Sequence, residues 1–459
     1  MNNPKITFCS GVGTVTGANF LLETIGGTKI LIDCGLVQGE KVATDENRKP
    51  FGYDIGSIKA LFITHAHLDH VGRIPKLVKE GYSGPIYSTP QTKALAEIIL
   101  NDAVGILTNE AKQEGLEPLY NNDDVQAVFP LWKTINYHEV FKLTEDVEIF
   151  LKDAGHILGS SMVGVTTPRG DGNKMKILFT GDLGNSPAPL LRDTEAVGSV
   201  DYIIMESVYG DRNHESREGR SNKFCQVVKD SIARGGTLVI PTFSVDRTQI
   251  LLFELNNMIE QKKIPSIPVF VDSPMAINAT SVYSENTDLF NDKVRGQIGN
   301  GDNIFKFPHL EYTMLSNESR DIENTKGPKI ILAGSGMSIG GRVISHERKY
   351  LPDSNSTILF VGYQSAGSLG RELADGNKKV KIYRDTIKVK AHIETLYGYS
   401  AHKDGDHLLE FVTTAESGLK EVFVVMGEPR SSMHLAQRIN DEVGVKAVVP
   451  EVGSTVLLG

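Results

Sequence analysis

The chain has 459 residues, 40% hydrophobic and 23% charged, which suits roughly two to four globular domains and excludes long disordered tails. Lys+Arg 48 against Asp+Glu 57 leaves a net charge of −9, so this is no general basic coat for nucleic acid, although locally placed cations or metals still allow such a substrate. No apolar run approaches the ~18 residues needed to cross a bilayer, and the opening Met-Asn-Asn-Pro-Lys-Ile-Thr-Phe lacks the apolar core of a signal peptide. The expectation is a cytoplasmic protein with no membrane partner. Cys9, Cys34 and Cys225 are odd in number and far apart, without a CxxC, and read as buried free thiols.

Short β-rich runs fill the first third: Lys5 to Phe8, Ala18 to Glu23, Lys29 to Ile32 and Ala60 to Thr64. A helical pattern runs from about Gln91 to Lys112, with Leu95, Ile98, Ile99 and Ala103 at helical spacing. Strands resume at Val147 to Leu151, Met162 to Thr167, Lys176 to Thr180 and Tyr202 to Met205. After Glu206 the pattern alternates. Strands at Thr237 to Ile240, Val269 to Val271, Lys329 to Ala333 and Thr357 to Val361 are separated by helices at Arg247 to Gln261, Met275 to Thr287 and after Gly341, which implies a parallel sheet flanked by helices. From about Ile393 a helix (Gly405 to Thr414), a strand (Val422 to Met426) and a closing helix (Met433 to Val443) follow. In Asn377 to Lys390, six basic residues face one acid, Asp385; this is either a solvated strand face or a track for a substrate backbone.

The informative segment is Thr64-His65-Ala66-His67-Leu68-Asp69-His70, directly after the apolar run Ala60-Leu61-Phe62-Ile63. Residues two apart in an extended segment project to one side, so His65 and His67 can reach one metal, while Asp69 and His70, at the following turn, can face a second. Imidazole and carboxylate donors without thiolate suit zinc in an open catalytic site. Two metals need further ligands. His156, in the glycine-bounded turn Asp153-Ala154-Gly155-His156-Ile157-Leu158-Gly159-Ser160, and Asp182, in Phe179-Thr180-Gly181-Asp182-Leu183-Gly184, are the expected partners. Either residue alone is more often an ordinary loop residue. A carboxylate such as Asp182 can bridge two cations, and Asp33, at the end of Ile30-Leu31-Ile32, can orient a ligand histidine.

The order Asp33, His65-x-His67-x-Asp69-His70, His156, Asp182 resembles the motifs of the metallo-β-lactamase fold. The second half is similar to the β-CASP nucleases, in particular the RNA-processing branch of ribonuclease J and 3′-end processing type. Glu206 in Ile204-Met205-Glu206-Ser207-Val208-Tyr209-Gly210 resembles the acidic motif A, and His402 in Tyr399-Ser400-Ala401-His402 resembles motif B. Pro241-Thr242-Phe243-Ser244-Val245-Asp246-Arg247-Thr248-Gln249, Gly362-Tyr363-Gln364-Ser365-Ala366-Gly367-Ser368-Leu369 and the opening Gly11-Val12-Gly13-Thr14-Val15-Thr16-Gly17 are similar to that branch. One position departs: where RNA-acting members carry a motif-C histidine, Val424-Val425-Met426-Gly427-Glu428 has methionine.

The resemblance implies an α/β fold, a metallo-β-lactamase αββα sandwich with an inserted β-CASP domain, divided as 1–208, 209–395 and 396–459. It implies zinc-dependent hydrolysis of RNA phosphodiester bonds, endonucleolytic with 5′-exonuclease action as a further mode. DNA cleavage and small-molecule (β-lactamase-like) hydrolysis remain as alternatives. It also implies that Glu206 and His402 act as an acid pair; Asp69 stands both among the ligands and in the catalytic group. The metal set is His65, His67, Asp69, His70, His156 and Asp182, holding two zinc ions, the second more weakly because of Met426. The Gly334-Ser335-Gly336-Met337 and Gly367-Ser368-Leu369-Gly370 turns offer Ser335, Gly336 and Ser368 as phosphate contacts or as ordinary helix caps. Single-stranded RNA is the expected partner, DNA a second, and a homodimer is left open.

Overall fold

A computed structural model describes residues 3–39, 41–214 and 219–459. The chain forms two compact units, one from residues 1–213 with 402–459 and the other from residues 214–401.

The first unit is built on two sheets. One contains β1 (Lys5–Ser10), β2 (Asn19–Glu23), β3 (Lys29–Ile32), β4 (Ile58–Phe62), β5 (Ile86–Ser88) and β6 (Trp132–Thr134), with the C-terminal β22 (Thr455–Leu457) added beside β1. The other runs in space from β7 (Phe141–Thr144) through β8 (Val147–Asp153), β9 (Ser161–Pro168), β10 (Lys174–Phe179) and β11 (Tyr202–Met205) to β20 (Glu421–Val424) and β21 (Lys446–Val448). Side chains alternate across each strand, so Met175, Ile177 and Phe179 of β10 and Tyr202 and Ile204 of β11 join the core that also holds Ile6, Phe8, Phe20, Ile30 and Phe62 of the facing sheet. Leu178, Ile203 and Met205 point the other way and pack with Leu408, Phe411 and Leu435 of the helices Gly405–Thr413 and Pro429–Arg438. Both faces of these strands are buried, which is why they read as continuous apolar runs. Truncating Phe179, 1% exposed, to alanine would cost about 3–5 kcal/mol.

The second unit carries a parallel sheet in the order β14 (Leu310–Tyr312), β13 (Val269–Asp272), β15 (Lys329–Ala333), β12 (Thr237–Pro241), β16 (Thr357–Phe360), β19 (His392–Thr395). A separate antiparallel hairpin joins β17 (Lys379–Ile382) to β18 (Asp385–Lys388).

Two expectations shift. The units divide a few residues later than 208/209 and 395/396. Arg212 and Asn213 stay with the first unit through Gly405 N–H to Arg212 O (3.0 Å) and Asn213 Nδ2 to the Asp406 carboxylate (2.6 Å). Gly398 and Tyr399 stay with the second, accepting from Arg220 Nη1 (2.9 Å) and donating to Glu254 Oε2 respectively. The closing helix begins at Pro429, not Met433, because proline at the first helical turn has no N–H to leave unsatisfied. Cys34 and Cys225 are buried, Cys9 is half-buried, and all are free thiols.

Candidate metal centre

Strand β4 ends at Phe62, and the next turn does not continue as extended chain. His67 caps a short helix, Leu68–Val71, so Asp69 and His70 sit in its turn while His65 and His67 precede it. Neighbouring loops pin this turn through backbone bonds: Cys34 N–H to His70 O (2.8 Å), Ala18 N–H to Asp69 O (2.9 Å) and Leu36 N–H to Leu68 O (3.0 Å). The approach is so close that a Cβ on Gly35 would lie 1.5 Å from the Asp69 carbonyl oxygen, so only glycine fits there.

Asp33 sits behind the turn, buried, with φ +57, an uncommon value for a residue with a Cβ. Its carboxylate accepts Thr64 N–H (2.8 Å), the Thr64 hydroxyl (2.8 Å) and His70 Nδ1–H (2.7 Å). That fixes the His70 tautomer with Nε2 as the lone-pair atom when a cation is held. His156 is set by its own turn, where Ser160 Oγ accepts the His156 and Ile157 N–H groups (3.0 and 3.3 Å). Asp182 follows the end of β10.

Four donors converge from these pieces: His65, His67, His156 and Asp182. His65 Nε2 lies 3.1 Å from His67 Nδ1 and 3.4 Å from Asp182 Oδ2; His156 Nε2 lies 3.2 Å from His67 Nδ1 and 3.6 Å from Asp182 Oδ2. A tetrahedron with zinc bonds of about 2.0–2.1 Å has edges of about 3.3 Å, so this donor set fits zinc. A second group holds three donors, Asp69, His70 and Asp182. In it His70 Nε2 and Asp182 Oδ1, 3.3 Å apart, are buried without a hydrogen-bond partner, as two atoms aimed at one cation would be.

The electrostatics divide the histidines. Burial pushes His67 and His156 well below the ordinary imidazole value, leaving them neutral and able to ligate. His70 is buried too, but the carboxylates of Asp182, Asp33 and Asp69 outweigh burial and hold it well above that value. Burial likewise opposes the charge on Asp182, and His70 and His65 overcome it, keeping the carboxyl well below its usual range.

Glu206 and His402 adjoin the cluster. His402 Nδ1 lies 3.2–3.3 Å from the two Glu206 carboxylate oxygens and 3.9 Å from Asp182 Oδ2. Glu206 is buried and accepts Leu183 N–H, whereas the His402 side chain is 24% exposed. Burial raises the Glu206 carboxyl; His402, against burial, is pushed up to about 9 by Glu206 and Asp182, so the imidazole carries a proton at neutral pH.

Other sequence candidates fall elsewhere. The Ser335 hydroxyl accepts Ile339 and Gly340 N–H, and several residues separate its turn from the helix Val343–Tyr350. The Ser368 hydroxyl caps Leu369–Ala374 and donates to Ser365 O (2.8 Å), and Gly336 lies under the Phe243 ring. These hydroxyls close their own turns, and all three residues belong to the second unit. Of the histidines outside the expected set, His407 bonds Asp404 (2.6 Å), His434 bonds Gly210 O (3.0 Å), and His392 is exposed on β19; none joins a donor group. Met426, at φ +48, is buried, and its sulfur would lie 2.8 Å from a Cβ on Gly11, so it packs toward the core. Sequence reasoning missed Thr64, whose hydroxyl touches Asp33, His65 and His70, and Tyr209, whose ring lies 6.1 Å from that of His402. The signal for Thr64 was a hydroxyl residue directly before the first histidine.

Residues 13–214 match the family model of the metallo-beta-lactamase superfamily, residues 248–373 the Beta-Casp domain and residues 386–450 the Zn-dependent metallo-hydrolase RNA specificity domain. Ribonuclease TTHA0252 of Thermus thermophilus is 34% identical over 423 residues, covering 92% of this chain and 93% of that protein. The chain belongs to the β-CASP family of metallo-β-lactamase-fold nucleases. Transcription termination factor FttA of Methanosarcina mazei is 31% identical over 96% of this chain and 70% of its own length, and FttA of Pyrococcus abyssi 32% identical over 99% and 71%. This β-CASP protein is a metal-dependent hydrolase of the RNA-processing branch, with RNA as its substrate class and zinc as the metal its donors suit. No helix among its described residues is long and apolar enough to cross a membrane.

Proposed function

We propose that the protein is an RNA endonuclease with two unequal zinc sites. The observation that carries this reading is the sharing of Asp182 among three donor groups, His65/His67/His156, Asp69/His70 and Glu206/His402. The first group with Asp182 would hold the firm cation, and Asp69, His70 and Asp182 the weaker one. Zinc, when bound, supplies an acidified water and a counter-charge for a phosphate oxygen. Asp33 and Thr64 hold His70 in its ligating tautomer. Glu206, fixed by Leu183 N–H, orients His402 through Nδ1, and the protonated imidazole would give its proton to the departing ribose oxygen. Three free cysteines fit a reducing compartment, and we place the protein in the cytoplasm.

The test is cleavage of matched end-labelled single-stranded RNA and DNA by one preparation, with zinc content measured alongside. Internal cuts in RNA with DNA spared support the reading. Equal or faster DNA cleavage would replace it with a DNA nuclease, and cleavage surviving loss of His67 would remove the metal centre from the mechanism.

A further inference from the structure

The β17–β18 hairpin of the second unit is out of keeping with the rest of an acidic chain. Lys378, Lys379, Lys381, Arg384, Lys388 and Lys390 are all exposed, and none makes an ion pair among the described residues. The one acid in the hairpin, Asp385, is already paired with Arg348. Alternation sorts the first strand. Val380 and Ile382, each 2% exposed, anchor it in the apolar core of the unit, which leaves Lys379 and Lys381 together on the outer face. The register then places Lys388 directly opposite Lys379. Like charges directly opposite in a ladder destabilise the pair, so folding alone gives no reason for this arrangement. A polyanion lying along the face would relieve it.

Two further observations narrow the occupant. Tyr383, at the hairpin tip with φ +55, is 71% exposed and stands beside Arg384. An exposed aromatic ring among lysines is the combination that holds single-stranded nucleic acid, phosphates on the cations and a base on the ring. Lys379 and Lys381 are separated by two residues of strand, about 6.8 Å at 3.4 Å per residue, comparable to the step between successive phosphates of an extended single strand. The match to the RNA specificity model begins within this hairpin, at residue 386.

We infer that the β17–β18 hairpin is a binding surface for single-stranded RNA, with Lys379, Lys381 and Lys388 meeting the phosphate backbone and Tyr383 stacking on a base. The inference rests on RNA being the substrate, and it adds a contact for long substrates on the second unit.

The experiment compares the intact wild type with the triple variant Lys379→Gln, Lys381→Gln, Lys388→Gln and with Tyr383→Ala. A control of equal charge change, Lys112→Gln, Lys229→Gln, Lys262→Gln, alters three other exposed lysines. Anisotropy of a labelled 20-nucleotide polyuridine is titrated over a range of salt, with its intactness read on a gel. Each backbone contact in a single strand contributes about 0.7 to the salt slope, so the triple variant should lose about 2 from it and the control nothing. Tyr383→Ala should weaken binding about tenfold or more at every salt concentration while the slope stays the same. KM for long RNA should rise in the triple variant, with kcat and the cleavage of a tetranucleotide within about twofold of wild type. The thermal transition should not fall, since an opposed lysine pair is relieved. A triple variant with the slope of the control overturns the inference. So does loss of binding to phosphatidylserine vesicles with RNA binding intact, which would assign the hairpin to a membrane surface. Failure of the nuclease reading shows separately, as wild-type protein that leaves RNA uncut.

Discussion

Replacing Asp33 with asparagine changes one atom and tests how the metal turn is held. The carboxylate accepts three hydrogen bonds at 2.7–2.8 Å from Thr64 N–H, the Thr64 hydroxyl and His70 Nδ1–H. Asparagine can face only one of those directions with oxygen. If its oxygen meets Thr64 N–H, its NH2 group faces His70 Nδ1, which must then accept, and the imidazole proton moves to Nε2. That atom is the one aimed at Asp182 Oδ1, 3.3 Å away, and a protonated Nε2 cannot ligate. The opposite rotamer sets N–H against the buried Thr64 N–H, at a cost of about 1–3 kcal/mol. Loss of such an outer partner typically lowers metal affinity about 10–100-fold, or ~1.4–2.7 kcal/mol. Asp33→Asn should therefore bind zinc more weakly by that factor at Asp69/His70/Asp182. The four-donor group should be little affected, and the melting temperature should fall by a few degrees. Competition with a zinc chelator measures the affinities, and imidazole nitrogen shifts report the His70 tautomer. Wild-type zinc affinity together with an unchanged tautomer would refute the role given to Asp33.

His67→Ala should abolish cleavage while circular dichroism and melting stay near wild type, because an open metal site contributes to chemistry more than to the core; wild-type turnover would contradict this. Glu206→Gln should lower kcat about 10²–10⁴-fold with RNA binding intact, and a raised KM at unchanged kcat would remove Glu206 from proton transfer. The wild type should hold less than two full equivalents of zinc, and Met426→His should raise occupancy of the three-donor site and speed cleavage at limiting metal; two tight, equal sites unchanged by the substitution would show that position to be irrelevant. Burial lifts Glu347 from 4.5 to about 8, opposed by the Ser338 hydroxyl bond. Its folded value is the raised one, so its stabilisation is full below 4.5 and is lost as pH rises through 8. Urea unfolding at about pH 5 and about pH 9 should differ by a few kcal/mol, and Glu347→Gln should flatten the difference.

Legibility in the sequence followed the range of the interactions concerned. The segment His65 to His70 was readable because four donors sit within one turn of chain, and their types alone limit the chemistry. His156 and Asp182 were readable as polar residues in glycine-bounded turns after apolar runs. Glu206 and His402 are 196 residues apart, so in the sequence only the family resemblance joins them, while in the fold they lie 3.2 Å apart. The helical turn at Leu68–Val71 was hidden because four residues carry no period, and the tertiary bonds from Cys34, Ala18 and Leu36 shape it. At Ser335 and Ser368 the sequence leaves anion contact and helix cap open, and in the fold each hydroxyl completes a local turn. The pairing of β22 with β1 joins the two ends of the chain, and no local pattern announces such a register.

The insertion has a consequence for biosynthesis. The chain leaves the first unit after Asn213 and re-enters at His402, with Asn213 and Asp406 bonded side by side at the crossing. His65, His67, His156, Asp182 and Glu206 are all made before the second unit, whereas His402 and strand β20 beside β11 come after it. A chain made only as far as the second unit has every proposed metal ligand and still lacks the imidazole beside Glu206 and the strand that pairs with β11. In this chain order the proposed acid pair of Glu206 and His402 is completed only by the segment that follows the insertion.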